Sequence, residues 1–226
     1  VFIGSGAGAV HGTGRDNVAI GYLAMGDTDH HADTRASLDN VFVGKSAGGG
    51  TWATNDSNSN VGIGNYSLDA AMNGALRNSA LGMYSLSGII GGQDNVGVGY
   101  GTGGSISDGI QNTAIGSGAL NSLTTGNYND AMGYAAGDRL TTGTYNIAIG
   151  RNAMGTHLDG SYNVAIGANS MSDTDAGGNS ESSQYNVFMG YGAGGGTWAD
   201  TGSSHDSNIG IGYLALSGAL NTDAAI

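Results

Sequence analysis

The side chains best suited to hold a metal ion are concentrated in one acidic segment. Asp27, Asp29, His30, His31 and Asp33 lie close together in the chain, and carboxylate oxygens and imidazole nitrogens are common ligands of divalent cations. The calcium-binding EF-hand pattern is incomplete here, because a spaced third ligand and a distal Glu are missing. The preferred interpretation is a solvated acidic loop without metal, and a divalent-cation site is the alternative. No cofactor is predicted.

The two tryptophans suggest a different chemistry, the binding of a ligand such as a sugar. Trp52 and Trp198 occupy equivalent places, since each follows the sequence Gly-Gly-Gly-Thr. An exposed indole offers a flat apolar surface with a polar edge, and Asn55, Asp56 and Asp200 lie nearby to bond hydroxyl groups. These five residues are the candidate ligand-binding residues. The alternative is that each indole folds back to fill the space beside the glycines.

Catalysis has little support in the residue types present. The chain contains a single Glu, Glu181, whereas glycosidases use a pair of carboxyl groups. Such a pair would have to consist of Asp residues brought together from distant parts of the chain. No Gly-x-Ser-x-Gly nucleophile motif occurs in a strand–helix context. We therefore predict no catalytic residues and no enzymatic activity, with a polysaccharide depolymerase of the tailspike type as an alternative.

All these candidate groups lie within a repeat, variants of Asn-Val-Ala-Ile-Gly, that recurs along the whole chain. Asn stands at 17, 40, 60, 78, 95, 112, 129, 146, 163, 186 and 208, each time followed four residues later by Gly, and residues 1–4 end a twelfth copy. Clear examples are Asn17 with Gly21, Asn112 with Gly116, Asn146 with Gly150, and Asn163 with Gly167. A short, fixed period is typical of a solenoid in which each repeat forms one turn.

The residues within one repeat predict short β-strands separated by tight corners. We number positions from the Asn, so that +4 is the Gly. Positions +1 and +3 are mostly large and apolar and point to one face of a strand, so we predict that they face the core and that +2 faces outward. Gly at +4 suits a sharp corner, and the Asn suits the opposite corner, where stacked Asn side chains can form a ladder. The predicted fold class is an all-β parallel solenoid of about twelve turns.

Side-chain volumes are correlated between positions +2 and +8. Phe stands at +2 in three copies, and each of these has Gly at +8: Phe2 with Gly8, Phe42 with Gly48, and Phe188 with Gly194. A large residue at one position therefore compensates for a missing side chain at the other, as close packing requires.

Domain organisation follows from where the period lengthens. We predict one repeat domain, 1–226, cut from a longer fibre, with regular 17-residue turns over 60–162 and long-loop turns over 17–59 and 163–207. The extra residues lie at 26–39, 48–59, 172–185 and 194–207. Insertions in solenoids form loops on one side, often the binding side.

A tyrosine precedes the Asn in four consecutive turns of the second half. Tyr128, Tyr145, Tyr162 and Tyr185 are predicted to stack as a stripe along the solenoid. Packing is the preferred interpretation of this stripe, and a platform for a ligand is the alternative.

Charge and composition exclude several classes of partner. The net charge is −12, from 18 acidic against 6 basic residues, and both nucleic acids and anionic membranes require clustered Lys and Arg. Neither is expected as a partner. The chain has no Cys and hence no disulfide framework, and no apolar stretch approaches the length of a membrane span.

The core Asn-x-Ala-Ile-Gly of segments 112–116 and 146–150 resembles the head repeats of trimeric autotransporter adhesins. The 17-residue form, with Thr-Thr-Gly at 124–126 and 141–143, is similar to the repeat shafts of phage tail fibres. Both resemblances cover the whole chain. They imply a left-handed parallel β-roll assembled as a homotrimer, located outside the cell on a virion tail fibre or a bacterial surface.

The functional expectation is therefore a structural and receptor-binding shaft of an extracellular fibre. Its receptor would be a cell-surface glycan or protein. A bacterial adhesin head is the nearest alternative to a phage fibre. Ice binding would require a regular ladder of Thr, and position +7 supplies Thr only at 102.

Overall fold

The computed structural model describes residues 1–9, 14–26, 37–52, 55–172, 183–196 and 206–218. These residues contain twelve short β-strands, one for each copy of the repeat, and no helix. Neighbouring strands run parallel, and equivalent repeat positions lie beside each other, as in the pairing of Ala131 with Ala148. The predicted all-β parallel solenoid is confirmed.

The chain divides into two compact units, Val1–Gln111 and Asn112–Ile226. The first unit contains Phe2–Ile3 (β1), Val18–Ile20 (β2), Val41–Val43 (β3), Val61–Ile63 (β4), Ser79–Leu81 (β5) and Val96–Val98 (β6). The second unit contains Thr113–Ile115 (β7), Asp130–Met132 (β8), Ile147–Ile149 (β9), Val164–Ile166 (β10), Val187–Met189 (β11) and Ile209–Ile211 (β12). Within each unit every strand pairs in parallel with the next one along the chain.

The middle residue of each strand from β2 to β12 points into the solenoid. Ala19, Phe42 and Ala114 are fully buried, whereas the residues on either side of them are only half-buried. The prediction that +1 and +3 face the core is therefore wrong, and position +2 is the interior position. The interior is narrow: a Cβ on Gly97 would lie 2.8 Å from Cγ of Leu86, which stands at +8. Only a small side chain fits opposite Leu or Met.

The predicted compensation between +2 and +8 is confirmed. Phe42 and Phe188 are fully buried, and a Cβ added at Gly48 or Gly194 would lie 2.6–2.7 Å from the nearest ring atom of its Phe. Each ring thus fills the space that Leu or Met at +8 fills in most of the other turns. Close packing is kept by exchanging the large residue between two positions that face each other.

The Asn side chains form the predicted ladder inside each unit. Asn129 Oδ1 accepts from the backbone N–H of Asn146 at 3.1 Å and from its Nδ2 at 3.0 Å. Asn129 Nδ2 in turn donates to Asn112 Oδ1 and to the carbonyl of Gly143, at 3.0 and 2.8 Å. The same pattern links Asn60 to Asn78 in the first unit. Each buried amide therefore ties its own turn to the neighbouring turns.

The corners use left-handed backbone at fixed positions. Gly at +4 has a φ of 135–138° at Gly82 and Gly133, and a Cβ on Gly133 would lie 2.6 Å from the carbonyl oxygen of Gly150 in the next turn. Glycine is therefore required there, as predicted. At the opposite corner, which we assigned to the Asn, the residue before the Asn takes the left-handed conformation, for example Tyr128 at φ 59°. The side chain of the Asn instead forms the hydrogen bonds of the ladder.

Candidate functional site

Trp52 lies in the interior and not on the surface. Its side chain is fully buried, and its ring meets the ring of Phe42 edge to face with 6.0 Å between centroids. A buried indole has no face open to a sugar in this conformation, and its position matches the space-filling interpretation. Trp52 Nε1 and Asp56 Oδ1 are buried without a hydrogen-bond partner. Asn55 is exposed, and ligand binding by Asn55 and Asp56 stays a prediction.

The other candidates named from the sequence lie outside the described residues. They are Asp27, Asp29, His30, His31 and Asp33 of the acidic segment, together with Trp198 and Asp200. Their roles stay predictions. Within the described ranges, no group of three or more His, Asp or Glu side chains is placed to hold a metal ion.

The predicted tyrosine stripe is present in the second unit. Consecutive rings of Tyr128, Tyr145, Tyr162 and Tyr185 stack with 4.6, 5.0 and 5.1 Å between centroids and interplanar angles of 7–11°. Because each ring covers a face of its neighbour, the stripe presents ring edges and hydroxyl groups to solvent. This arrangement favours a packing role and leaves few free ring faces for a ligand.

A polar groove that the sequence analysis did not anticipate runs along one corner of the second unit. Its first part is a cavity of about 290 Å³ whose lining includes Asp138, Asn152, Thr156, Asn169 and Ser172. Amide, hydroxyl and carboxyl groups thus converge on one open depression. The side chains come from positions +6, +9 and +10 of consecutive turns, which the in-register stacking places side by side.

The second part of the groove continues past the same Asn169 and Ser172. It also has a volume of about 290 Å³, and its wall includes Tyr191, Gly192 and Gly195. We call the two cavities together the Asn169 groove. Its principal residues are Asp138, Asn152, Thr156, Asn169, Ser172 and Tyr191.

The groove exists because position +6 carries small or amide residues in four consecutive turns of this unit, namely Ala135, Asn152, Asn169 and Gly192. Asn152 and Asn169 have left-handed backbone, with φ of 54° and 56°, a conformation that Asn adopts more readily than most residues. Asn152 Nδ2 lies 3.5 Å from Asn169 Oδ1, so each amide keeps hydrogen-bonding capacity for another partner. Ser172 and Gly195 stand where the insertions 172–185 and 194–207 begin.

Tyr191 gives the groove an aromatic wall. Its ring stacks on Tyr213 of the following turn with 5.6 Å between centroids, and half of the residue is exposed. The backbone bond from Gly192 N–H to the carbonyl of Ala168 places Ala168 at the equivalent position of the preceding turn. The methyl group of Ala168 offers no aromatic ring to stack on Tyr191.

The first cavity of the groove contains one carboxyl group, that of Asp138, and the hydroxyl group of Thr156. Burial raises the pKa of Asp138, and the nearby Arg139 partly opposes this effect. Thr156 Oγ1 donates to the carbonyl of Ser172 at 2.9 Å, which fixes the hydroxyl in place. The sequence signal for this groove is the run of small and amide residues at +6 beside two insertions.

A second surface, the outer face of the strands, is apolar in both units. Position +3 leaves large side chains exposed, among them Leu81 at 52%, Met132 at 49% and Ile211 at 68%, and most +1 residues are half-buried. On the second unit this face contains a largely apolar cavity of about 250 Å³, lined by Thr113, Asp130, Ala131, Met132, Ile147 and Ile149. We call the columns of +1 and +3 residues the outer strand face.

No helix long and apolar enough to cross a membrane occurs among the described residues. In comparisons with known proteins, no protein-family model, no curated protein and no solved structure matches the chain.

Proposed function

We propose that the chain is a structural and receptor-binding shaft of an extracellular fibre, a phage tail fibre, that assembles as a homotrimer. The observation that carries this proposal is the exposed outer strand face. Soluble monomers rarely expose a contiguous apolar surface of more than a few hundred Å². A column of Val, Ile, Leu and Met repeated on strand after strand therefore calls for a covering partner.

A second copy of the same chain fits this surface better than an unrelated partner. Stacked strands place successive residues of each column about 4.8 Å apart, and a partner must match that spacing along the whole face. Another copy has the same columns at the same spacing, so its ridges and grooves match over every turn. Cyclic symmetry closes such an assembly, and three chains around an axis enclose the apolar faces.

We expect receptor attachment where insertions interrupt the regular repeat, because insertions in solenoids often form the binding side. The net charge of −12 disfavours nucleic acid and anionic lipid, which leaves glycans and proteins of a cell surface. The same features suit a bacterial adhesin head. The two hypotheses differ in the domain expected beside the repeat: a membrane anchor for the adhesin and a virion-attachment domain for the phage fibre. An enzymatic depolymerase would need paired carboxyl groups in a groove.

Cross-linking of paired variants tests the role of the outer strand face. We expect the unaltered chain to cross-link as a trimer on denaturing electrophoresis. Met132→Lys combined with Ile149→Lys places two charges on the face and is expected to yield monomers whose circular dichroism is unchanged. Tyr134→Lys, at an exposed position away from this face, is the matched control and should stay trimeric. A clean monomer for the unaltered chain would refute the proposal.

A further inference from the structure

We propose that the Asn169 groove binds a neutral saccharide. This inference rests on the proposed receptor-binding function, and it names both the site and the chemical class of the receptor. The proposed binding surface is therefore formed by the stacked turns of the second unit and not by the loop tryptophans.

The polar groups of the groove match the hydroxyl groups of a sugar. Each carboxamide offers two N–H donors and an acceptor oxygen, and each hydroxyl group donates and accepts. Asn152 and Asn169 project from neighbouring turns with their amides 3.5 Å apart, and Ser172 lies in both cavities. Adjacent sugar hydroxyl groups each need a donor and an acceptor, and this pair of amides presents both side by side.

The aromatic wall supplies the apolar contact that a sugar ring needs. Sugar rings carry C–H groups on their faces, which pack well against an aromatic ring. Tyr191 lines the groove, and the preceding turn has Ala168 at the same position, so that residue supplies no aromatic ring to stack on Tyr191. One face of the Tyr191 ring rests on Tyr213 at 5.6 Å. The ring is thus held in place before a ligand arrives, which lowers the entropic cost of binding.

The size and charge of the groove narrow the class of saccharide. Two joined cavities of about 290 Å³ each accommodate one or two sugar units in an open surface groove. The lining includes the carboxyl group of Asp138 and no Lys or Arg. Arg139 lies beside Asp138 but is not part of the lining. An acidic sugar would therefore meet a carboxyl group with no cation in the lining, whereas a neutral sugar avoids this cost.

The first unit shows how to close the groove without disturbing the fold. At position +6 it carries Tyr66 and Tyr84, whose rings stack with 5.1 Å between centroids and whose backbones are left-handed at φ 59° and 58°. Asn169→Tyr places the same residue type at the equivalent position of the second unit. The backbone there already has φ 56°, so the variant blocks the groove with a side chain that this fold accepts.

The test is a glycan array of neutral and acidic oligosaccharides, followed by calorimetry with the strongest neutral ligand. We expect Asn169→Tyr and Tyr191→Ala to weaken binding by about tenfold or more, which corresponds to the loss of a hydrogen-bonded or stacked contact. Asn169→Gly keeps the left-handed backbone, removes the amide and is expected to weaken binding as well. Tyr22→Ala is the matched control, because Tyr22 stands at the same +5 position as Tyr191 in the first unit and is similarly exposed.

The outcomes separate this inference from the proposed fibre function. Glycan binding that survives all three groove variants would overturn the groove while leaving receptor binding in place. A preference for acidic glycans would overturn the assigned class. If no glycan binds the unaltered chain, the saccharide site is refuted, and cross-linking still decides the trimeric shaft on its own. Equal loss in Tyr22→Ala would also count against the groove.

Discussion

The two units present different surfaces on the same scaffold. At position +6 the first unit carries Tyr66 and Tyr84, stacked face to face, whereas the second unit carries Asn152 and Asn169, which border an open groove. The backbone at these positions is left-handed in both units. A solenoid position whose backbone is fixed by the corner can therefore change from a ridge to a groove through side-chain size alone.

The residue before the Asn shows a second difference between the units. In the first unit Arg77 pairs with Asp94 at 2.6 Å, whereas in the second unit Tyr145 stacks between two other tyrosines. All three residues are left-handed with φ of 56–59°. The corner fixes the backbone conformation, and contacts between neighbouring turns fix which side chains are compatible there.

The largest expected losses of stability come from the corner formed by Gly at +4, which occurs in the turns of both units. Gly82→Ala and Gly133→Ala should each destabilise the fold by about 3 kcal/mol or more, because left-handed strain adds to a backbone clash. An added Cβ would lie 2.2 Å from Gly99 O or 2.6 Å from Gly150 O. Urea denaturation measures the free energy of unfolding.

Gly118→Ala is the matched control for this clash. Gly118 has a φ of 70°, but a Cβ there meets no atom within 4 Å. Only conformational strain remains, about 1 kcal/mol. A loss at Gly133 no larger than at Gly118 would refute the close approach of neighbouring corners.

The Asn ladder should be the next most sensitive feature, again in both units. Asn78→Ala and Asn129→Ala leave buried donors and acceptors of neighbouring turns unpaired, at a cost of about 2–3 kcal/mol. Asn121→Ala changes an exposed Asn and should be close to neutral. Thermal unfolding followed by circular dichroism compares the three. Equal transition temperatures would contradict a structural ladder.

The tyrosine stripe should contribute to the stability of the second unit, where it lies. Tyr145→Asn retains a residue that tolerates left-handed backbone and removes two stacked contacts, so a loss of about 1–2 kcal/mol is expected. Tyr134→Asn alters an exposed tyrosine for which no ring contact defines a stack, and it serves as the control. If both variants unfold at the same denaturant concentration, the stripe does not contribute to stability.

The smallest effect is expected at the Arg77–Asp94 pair. The hydrogen bond and charge of Arg77 lower the pKa of Asp94. A lowered pKa in the folded state means that the pair stabilises above the ordinary carboxyl pKa and that this contribution is lost as the pH falls through the folded value. The Arg77 and Asp94 side chains are 54% and 37% exposed, and solvent screening therefore keeps the change small.

Asp94→Asn should therefore reduce the transition temperature slightly at neutral pH and leave it unchanged in strong acid. The difference should also shrink at high salt. Asp108→Asn, at another exposed Asp of the first unit, is the control. A reduction that persists in strong acid would show that the loss does not come from the ion pair.

The sequence predicted the fold well because its regularities report directly on backbone requirements. Gly at +4 recurs in all twelve copies and Asn at position 0 in eleven of them, and their physical reasons are the corner and the ladder. The exchange of Phe42 and Gly48 also followed from volume alone. The prediction of which strand face is buried was wrong, because the apolar residues at +1 and +3 suggested a core. The interior instead admits only Ala or Gly at +2 opposite Leu or Met.

The candidate site was less predictable for a physical reason. A groove depends on which columns are small in consecutive turns, and Asn152, Asn169 and Tyr191 are adjacent only once the register is known. Trp52 looked suited to ligand binding by residue type, but its burial against Phe42 depends on packing that no local motif encodes. Register and burial are properties of the stacked turns rather than of a single repeat.

Sedimentation equilibrium of the unaltered chain tests the central claim, that copies of the chain cover the outer strand face. A trimeric fibre shaft predicts a molar mass of three times the 22.3 kDa chain. The Met132→Lys, Ile149→Lys variant should sediment as a single chain. A mass of 22.3 kDa for the unaltered chain would contradict the proposed assembly.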